Sequence, residues 1–356
     1  MPIFIESRPA PNCWAEHQAA PLPATDIMCG PRSCGIRIAF VNNMPDAALE
    51  DTELQFFNLL DAAAGDIPIR IRLYSLPGIG RSERGRQHLD TFYSELSDLW
   101  TRPLDAIIVT GTEPCTPKLP DEPYWPQLTQ LIDWAERHTV SSIWSCLAAH
   151  ASVLHGDGIE RRRLSEKRCG VFEVTRIADH VLTKARGKVR FPHSRWNSIP
   201  SDALVENGYT ILTASPIAGV DSFIKTRKNS LFLHFQGHPE YEAKTLFKEY
   251  RRDIKRFLKG ERDSYPSMPN SYFDLSAAKV LDSFRTIALS HRREDLMASF
   301  PEEAIVRGLE NGWQHCAISL YRNWLRLIEE RKREVPAFRP ASARAQQLDR
   351  VAQWSD

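Results

Sequence analysis

Strand-like and helix-like segments alternate along the first half of this chain, and this order restricts the possible folds more than any other feature. The predicted strands are Ile36–Val41, Ile67–Leu76, Leu104–Thr110 and Val140–Trp144, and the predicted helices between them are Asp46–Ala63, Arg84–Trp100 and Trp125–His138. A further helix should follow the fourth strand. Short connections between alternating elements favour parallel strands with helices on both faces. The sequence therefore predicts an α/β fold with a mostly parallel sheet flanked by helices in three layers.

The strand-like segments of the second half lie closer together, which favours antiparallel pairing in part of the sheet. They are Leu164–Val174, Tyr209–Ala214, Ser222–Lys225 and Leu231–Phe235. A strongly helical pattern from Tyr241 to Lys259 follows, and we expect that helix to begin near Pro239.

The chain of 356 residues is long enough for one large domain or two modest ones. We expect an extended N-terminal arm over residues 1–34, an α/β catalytic domain over 35–273, and a helical extension over 274–333 that packs on the core. A break is predicted at Phe300-Pro301, and a polar tail over 334–356.

The composition argues against several classes of protein. Lys and Arg number 46 against 45 Asp and Glu, so the net charge of +1 gives no reason to expect nucleic acid or a membrane surface as a partner. The runs Arg161–Arg163 and Arg251-Arg252 are interpreted as solvated faces. No apolar stretch approaches the length of about 20 residues that spans a bilayer, and no secretory signal is apparent. We therefore expect a cytoplasmic protein.

The cysteines favour neither a disulfide framework nor a structural zinc site. They number seven, and none forms a Cys-x-x-Cys pair. Most are expected to be reduced and buried, and we expect no bound metal.

Cys146 is the exception, because it lies where a buried strand should end and a helix of small residues should begin. This position resembles a nucleophile elbow with Cys in place of Ser. A helix N-terminus stabilises a thiolate, and the backbone N–H of Leu147 could donate to an oxyanion. The alternative is a buried structural cysteine.

A second candidate segment is Gly237-His238-Pro239-Glu240, which follows the last apolar strand. The Glu240 carboxylate could orient the His238 imidazole, and the imidazole could deprotonate a thiol, as in Cys-His-acid acyl-enzymes. Alone, the segment could be only a helix start with an acidic first turn. Together with the Cys146 elbow, it predicts a catalytic triad.

These features resemble the class I glutamine amidotransferase-like fold and, more closely, the homoserine O-acyltransferase family of methionine biosynthesis, also called the homoserine O-succinyltransferase or transsuccinylase family. The likeness runs from about Ile36 to Leu325. The most specific matching residues are Gly237-His238-Pro239-Glu240-Tyr241 and Pro192-His193-Ser194-Arg195. The others are Asn43-Met44-Pro45 with Thr52-Glu53, Ile108–Gly111, Tyr124–Gln127, Ser165-Glu166-Lys167, Gly170–Glu173, Tyr272-Phe273 and Asn323-Trp324-Leu325.

The resemblance implies a ping-pong reaction in which Cys146 takes an acyl group from succinyl-CoA or acetyl-CoA as a thioester. The hydroxyl of the acceptor, homoserine, would then attack it, with His238 as the base and Glu240 as its orienter. The acyl-CoA is a co-substrate, and no bound cofactor is implied. Family positions further imply oxyanion donors at Gly111 and Thr112.

The same resemblance implies that Lys167, Ser194 and Arg252 contact the acceptor or shape its pocket. A guanidinium suits an α-carboxylate. Without the resemblance, each of the three would be interpreted as a surface charge or a turn hydroxyl.

The chain departs from the family pattern where the acyl donor is discriminated. An ungapped count places Cys115 at a position that holds Gly with succinyl use and Glu with acetyl use, and Glu113 lies two residues earlier. Asp46 and Ala47 stand where the family has a Lys after Met-Pro. These changes leave the donor open, and they leave serine or another hydroxy or amino compound as an alternative acceptor.

Two other functions remain as alternatives: a glutamine amidotransferase or related hydrolase with the same triad, and a non-catalytic binding protein. The expected partners are small-molecule substrates, and the C-terminal helices could form a homodimer interface.

Overall fold

One mixed sheet organises the computed structural model, which describes residues 2–6, 35–184 and 189–334. In that part of the chain the strands are β1 (Ile3–Ile5), β2 (Ile36–Val41), β3 (Ile69–Tyr74), β4 (Ala106–Val109), β5 (Ser141–Ser145), β6 (Arg162–Arg176), β7 (Val189–Ser198), β8 (Thr210–Ser215), β9 (Gly219–Arg227) and β10 (Ser230–Phe235). The α-helices are α1 (Asp46–Ala64), α2 (Glu83–Phe92), α3 (Leu96–Leu99), α4 (Trp125–His138), α5 (Leu147–Asp157), α6 (Ser201–Glu206), α7 (Thr245–Leu258), α8 (Leu275–Ser290), α9 (Glu302–Val306) and α10 (Gln314–Glu334).

The strand order is β1-β3-β2-β4-β5-β10-β9-β8-β6-β7. The pairings from β1 through β10 are parallel, and those from β10 through β7 are antiparallel. The predicted α/β class, with a mostly parallel sheet and an antiparallel part, is therefore confirmed.

Helices cover both faces of the parallel part because its strands carry apolar side chains on both sides. In β2, Ile38 and Phe40 belong to the apolar cluster that contains α1 and α10. Ala39 and Val41, which point to the opposite face, belong to the cluster that contains α4 and α5. This alternation produces the predicted three layers.

The C-terminal helix α10 forms part of the main core. Tyr321 and Trp324 are fully buried, and the Trp324 indole donates a hydrogen bond to Ser141 Oγ on β5 at 2.9 Å. The helical pattern between Asp274 and Arg333 is divided into α8, a 3₁₀ helix (Glu294–Ser299), α9 and α10. The predicted break at Phe300-Pro301 lies directly before α9.

One predicted helix is divided in the structure. The predicted helix Arg84–Trp100 is two helices, because Tyr93 is extended and its hydroxyl donates to the buried Glu53 carboxylate at 2.6 Å. Ser94 N–H bonds to Leu73 O in β3 and leaves the helical ladder. The contacts of the buried Tyr93 thus end the first helix and bring the chain beside β3.

Two strands were not predicted. β7 carries Pro192-His193-Ser194-Arg195 and pairs antiparallel with β6, with an irregular register between Arg163 and Arg168. Ile3–Ile5, within the predicted N-terminal arm, pairs in parallel with β3. Residues 7–34 and 335–356, which include most of the arm and the tail, lie outside the described residues. No helix in the described ranges has the length and apolar character needed to cross a bilayer.

Gly170 fixes the connection between α7 and α8 against the sheet. Its φ is 141°, and a Cβ there would lie 2.4 Å from the backbone N and O of Asn270. Hydrogen bonds join Val171 N–H to Asn270 O (2.8 Å) and Asn270 N–H to Cys169 O (2.9 Å). Only glycine permits this close approach together with this φ value.

We expect Gly170→Ala to lower the free energy of unfolding by about 3 kcal/mol or more, because it adds a steric clash to an unfavourable φ. Gly208→Ala is the matched control, since Gly208 has a φ of 75° and no atom within 4 Å of an added Cβ. The control should cost about 1 kcal/mol. Urea denaturation of both variants measures the difference, and equal losses would contradict the role of the Asn270 contact.

Candidate active site

Cys146 lies on a sharp turn between β5 and α5. Its φ of 52° is unusual for a residue with a side chain, and such conformations concentrate at functional sites. The turn is held by a hydrogen bond from Cys146 N–H to Phe235 O at the end of β10 (2.8 Å) and by one from Ala149 N–H to Cys146 O (3.0 Å). The structure therefore has the predicted strand-to-helix elbow, with the thiol partly exposed at the carboxyl end of β5.

Gly111 and Leu147, two of the three residues predicted to supply oxyanion donors, lie together beside this elbow. A Cβ on Gly111, directly after β4 and Thr110, would lie 2.9 Å from Leu147 N. The missing side chain at Gly111 thus leaves the Leu147 N–H open at the start of α5. Because β4 and β5 are adjacent and parallel, their carboxyl ends meet there. The contribution of Thr112 stays a prediction.

His238 follows β10, the other neighbour of β5. The expectation that Pro239 opens a helix was wrong, because α7 begins at Thr245. Residues 238–241 form a turn instead, closed by Tyr241 N–H to His238 O (3.2 Å). The turn is fixed because the Tyr241 ring stacks on the His238 imidazole, with centroids 4.2 Å apart.

Glu240 contacts the imidazole that it is predicted to orient. Its Oε1 lies 2.8 Å from His238 Nδ1, and Ser145 Oγ donates to the same oxygen at 3.4 Å. Burial alone lowers the pKa of His238. The charges of Glu240 and Cys146, with hydrogen bonds to both, outweigh it and raise that pKa well above 6.5. The structure thus brings Cys146, His238 and Glu240 into one chain of contacts.

Lys167, Ser194 and Arg252 also come together, through two carboxylates on α7. Lys167 Nζ lies 3.4 Å from Glu249 Oε2 and 3.0 Å from Asp253 Oδ2. Ser194 Oγ donates to Glu249 Oε2. The Arg252 guanidinium bonds to Asp253 Oδ1 at 3.2 Å. The three predicted acceptor residues therefore belong to one network.

The sequence analysis gave no role to Glu249, Asp253 or Tyr241. The Tyr241 hydroxyl donates to Glu249 Oε1 at 2.6 Å while its ring stacks on His238, so Tyr241 connects the network to the triad. Glu249 and Asp253 are four residues apart and share one helical face. This spacing is visible in the sequence, but it does not show which residues pack against that helical face.

The two residues predicted to discriminate the acyl donor are accessible. Cys115 is exposed, and Glu113, with 56% of its side chain exposed, forms an ion pair with Arg256 on α7 at 3.2 Å. Their effect on the donor stays a prediction.

The interpretation of Arg161–Arg163 as a solvated face was wrong for Arg161. Arg162 and Arg163 are exposed, but Arg161 is half-buried and its Nη2 lies 3.5 Å from Pro117 O. Arg161 is therefore only partly solvated.

The arrangement suits nucleophilic acyl transfer: a thiol on an elbow, an imidazole fixed by a carboxylate, and an adjacent N–H at a helix start. In the described part of the chain, no three His, Cys, Asp or Glu side chains are grouped so that they could hold a metal ion.

A family model and two related proteins match this sequence, and all three carry the same family name. The family model for homoserine O-succinyltransferase (HTS) matches residues 32–333. A homoserine O-succinyltransferase from Rhodopseudomonas palustris is 47% identical over 291 residues, which are 82% of this chain and 87% of that protein. One from Methylorubrum extorquens (strain DSM 6343 / CIP 106787 / DM4) is 42% identical over 324 residues, or 88% of this chain and 96% of that protein.

Two solved structures overlap with the chain at low sequence identity. A glutamine amidotransferase from Thermotoga maritima has a TM-score of 0.46 at 12% identity and covers 83% of this chain and 99% of its own. A glutamine amidotransferase from Methylobacillus flagellatus has a TM-score of 0.46 at 15% identity and covers 82% and 94%. The sequence matches, which extend over most of this chain and of both relatives, identify the chain as a member of the homoserine O-succinyltransferase family.

Proposed function

We propose that this protein transfers a succinyl group from succinyl-CoA to the hydroxyl of L-homoserine, with Cys146 as the nucleophile. The observation that carries the proposal is the chain of contacts from Cys146 through His238 to Glu240. It lies where the paired strands β5 and β10 end at the same edge of the sheet. Family membership supports homoserine as the acceptor and succinyl as the group that is transferred. The reaction is an O-acyl transfer of the methionine pathway.

In the first half-reaction the Cys146 thiolate attacks the thioester carbonyl of succinyl-CoA. The Leu147 N–H stabilises the negative charge that develops on the carbonyl oxygen. The C–S bond to CoA breaks, and the His238 imidazolium gives its proton to the departing sulfur. Free CoA leaves, and a succinyl thioester remains on Cys146.

In the second half-reaction the homoserine hydroxyl attacks this thioester. His238, now neutral, takes the hydroxyl proton while Glu240 holds the imidazole in position and stabilises the imidazolium that forms. The C–S bond to Cys146 breaks and releases O-succinylhomoserine. The thiolate and the imidazolium are both restored.

The network on α7 provides the groups that an amino-acid acceptor requires. Arg252 offers a guanidinium for the α-carboxylate, and Lys167 and Ser194 lie beside it on the β6–β7 hairpin. Glu249 and Asp253 offer negative charge for the ammonium group. Glu249 also accepts from Tyr241, which stacks on His238, so an acceptor bound here lies next to the base.

Cys146→Ser should abolish turnover, because a serine hydroxyl at this site has no comparable anionic form at neutral pH. Mass spectrometry after brief exposure to succinyl-CoA without acceptor should show a succinyl mass on the Cys146 peptide of the wild-type protein only. Acetyl-CoA in parallel tests the alternative donor. Full activity of Cys146→Ser with an unaltered fold would contradict the covalent mechanism.

Glu240→Gln should lower kcat by about 10²- to 10⁴-fold, because the imidazole loses its orienting carboxylate. The loss of negative charge should also lower the pKa of His238, which Glu240 raises. Less imidazolium then persists at high pH, so the alkaline limb of kcat/KM for succinyl-CoA should move to lower pH. Glu242→Gln is the control, since exposed Glu242 bonds to Asn58 at 2.9 Å. An unmoved alkaline limb would refute this role of Glu240.

Arg252→Ala should raise the KM for homoserine by about 10- to 100-fold, the cost of losing a hydrogen-bonded charge. The rate of Cys146 acylation should change little. Arg251→Ala is the matched control, because both side chains are 45% exposed and Arg251 pairs with Glu302 instead. Equal KM values in the two variants would show that Arg252 does not bind the acceptor.

A further inference from the structure

A run of three arginines, Arg161–Arg163, leads into strand β6. Among the described residues, only Arg162 of the three has a carboxylate oxygen within 4.0 Å, that of Asp202 at 3.9 Å. The chain as a whole has a net charge of only +1, so this concentration of positive charge is local. Guanidinium groups bind phosphates well because their N–H groups match the geometry of the phosphate oxygens.

An exposed tryptophan lies beside the last arginine of this run. The Arg163 guanidinium lies over the indole of Trp196, 5.0 Å from the ring centroid. Trp196 belongs to β7, and 36% of its surface is exposed; Arg163 is exposed as well. Nucleobases stack on aromatic rings and on guanidinium planes. The two side chains together therefore offer a stacking surface and a positive charge.

Trp196 lies on the face of β7 that carries the proposed acceptor network. Side chains alternate along a strand, so Trp196 projects from the same face as Ser194, two residues and about 7 Å earlier. Ser194 donates to Glu249 on α7. Glu249 also accepts from Tyr241, whose ring stacks on the imidazole of the proposed base. The indole thus extends the surface of the proposed active site outward along β7.

Two further contacts place this end of the β6–β7 hairpin at the carboxyl edge of the sheet. Ile199, directly after β7, donates its N–H to Gln236 Oε1 at 2.9 Å. Gln236 precedes His238 by two residues. At the start of the arginine run, Arg161 Nη2 lies 3.5 Å from Pro117 O. Pro117 belongs to the loop after β4, which begins at the predicted oxyanion turn, so the run lies between that loop and the end of β10.

We propose that Arg163 and Trp196 bind the 3′-phosphoadenosine diphosphate end of CoA. The indole stacks on the adenine, and the edge of the guanidinium donates to phosphate oxygens. The pantetheine arm then extends along the face of β7 past Ser194 toward Cys146. The proposal rests on the proposed function, since it takes an acyl-CoA as the donor.

This path crosses the acceptor network, which the order of the two half-reactions allows. In the proposed reaction free CoA leaves before homoserine attacks the thioester on Cys146. The pantetheine arm and the acceptor therefore occupy the same space in turn.

Isothermal titration calorimetry with free CoA tests the site without turnover. Arg163→Gln should weaken CoA binding by about 10- to 100-fold, the cost of losing a hydrogen-bonded charge. Trp196→Leu should weaken it by about 5- to 100-fold, because it removes the stacking of one base. Both side chains are exposed, so neither replacement should alter the fold, which circular dichroism checks.

Arg162→Gln is the matched control, because it removes the same charge one residue away from a side chain that pairs with Asp202. It should bind CoA within about threefold of the wild-type protein, as expected for an exposed charge without a direct contact. Equal weakening by Arg162→Gln and Arg163→Gln would overturn the proposal, since a diffuse charge effect requires no specific contact.

Acylation of Cys146 by two donors separates this site from the proposed chemistry. Succinyl-CoA and S-succinylpantetheine carry the same thioester, but only succinyl-CoA carries the nucleotide. At subsaturating donor, Arg163→Gln should slow acylation by succinyl-CoA about 10-fold or more and leave acylation by S-succinylpantetheine unchanged. Mass spectrometry of the Cys146 peptide measures both rates. Equal slowing with both donors would show a structural effect and would overturn the proposal.

The two measurements distinguish failure of this site from failure of the proposed function. If neither donor acylates the wild-type protein, the proposed function fails, whereas calorimetry still reports on the binding of CoA. Unchanged CoA affinity in Arg163→Gln and Trp196→Leu, or a wild-type protein that does not bind CoA, would overturn the proposal whatever the outcome of acylation.

Discussion

The parallel pairing of β5 with β10 is the constraint on which the active site depends. Strand β5 ends directly before Cys146, the proposed nucleophile, and β10 ends shortly before His238, the proposed base. Their register places Phe235 opposite Ser145. The hydrogen bond from Cys146 N–H to Phe235 O extends this pairing by one residue into the elbow. Because parallel strands end at the same edge of a sheet, the thiol and the imidazole meet without any contribution from flexible loops.

The antiparallel half of the sheet has a different part in the structure. It supports the proposed acceptor network of Lys167 and Ser194 with α7, and the buried pair His193–Asp221. The β6–β7 hairpin carries Lys167 and Ser194 toward α7. On the same strand as Ser194, His193 contacts Asp221 of β9, and Arg195 bonds to Ala218 O. Alternation of side chains along β7 explains this division, because Ser194 points to the face opposite its two neighbours. Strand β7 thereby contributes side chains to the proposed acceptor network and to a buried polar network on its other face.

The chemistry of the site could be predicted where it depends on neighbours in the sequence. Cys146 at a strand-to-helix junction and Glu240 two residues after His238 are local patterns, and the structure brings these three together. Tyr93 and Tyr241 show where prediction failed. The Tyr93 hydroxyl donates to Glu53 on α1, while the Tyr241 ring stacks on His238 and its hydroxyl donates to Glu249 on α7. Helical periodicity does not contain such contacts.

The sequence by itself determined the alternation of elements, the α/β class, the family and the residues of the proposed triad, because these follow from local periodicity, from motifs and from residue type. The tertiary structure alone decided which charges meet. Glu249 and Asp253 became partners of Lys167 only when β7 packed beside β6 and α7 packed against this hairpin. The physical reason is that electrostatic interactions depend on separation in space, whereas a sequence records separation along the chain.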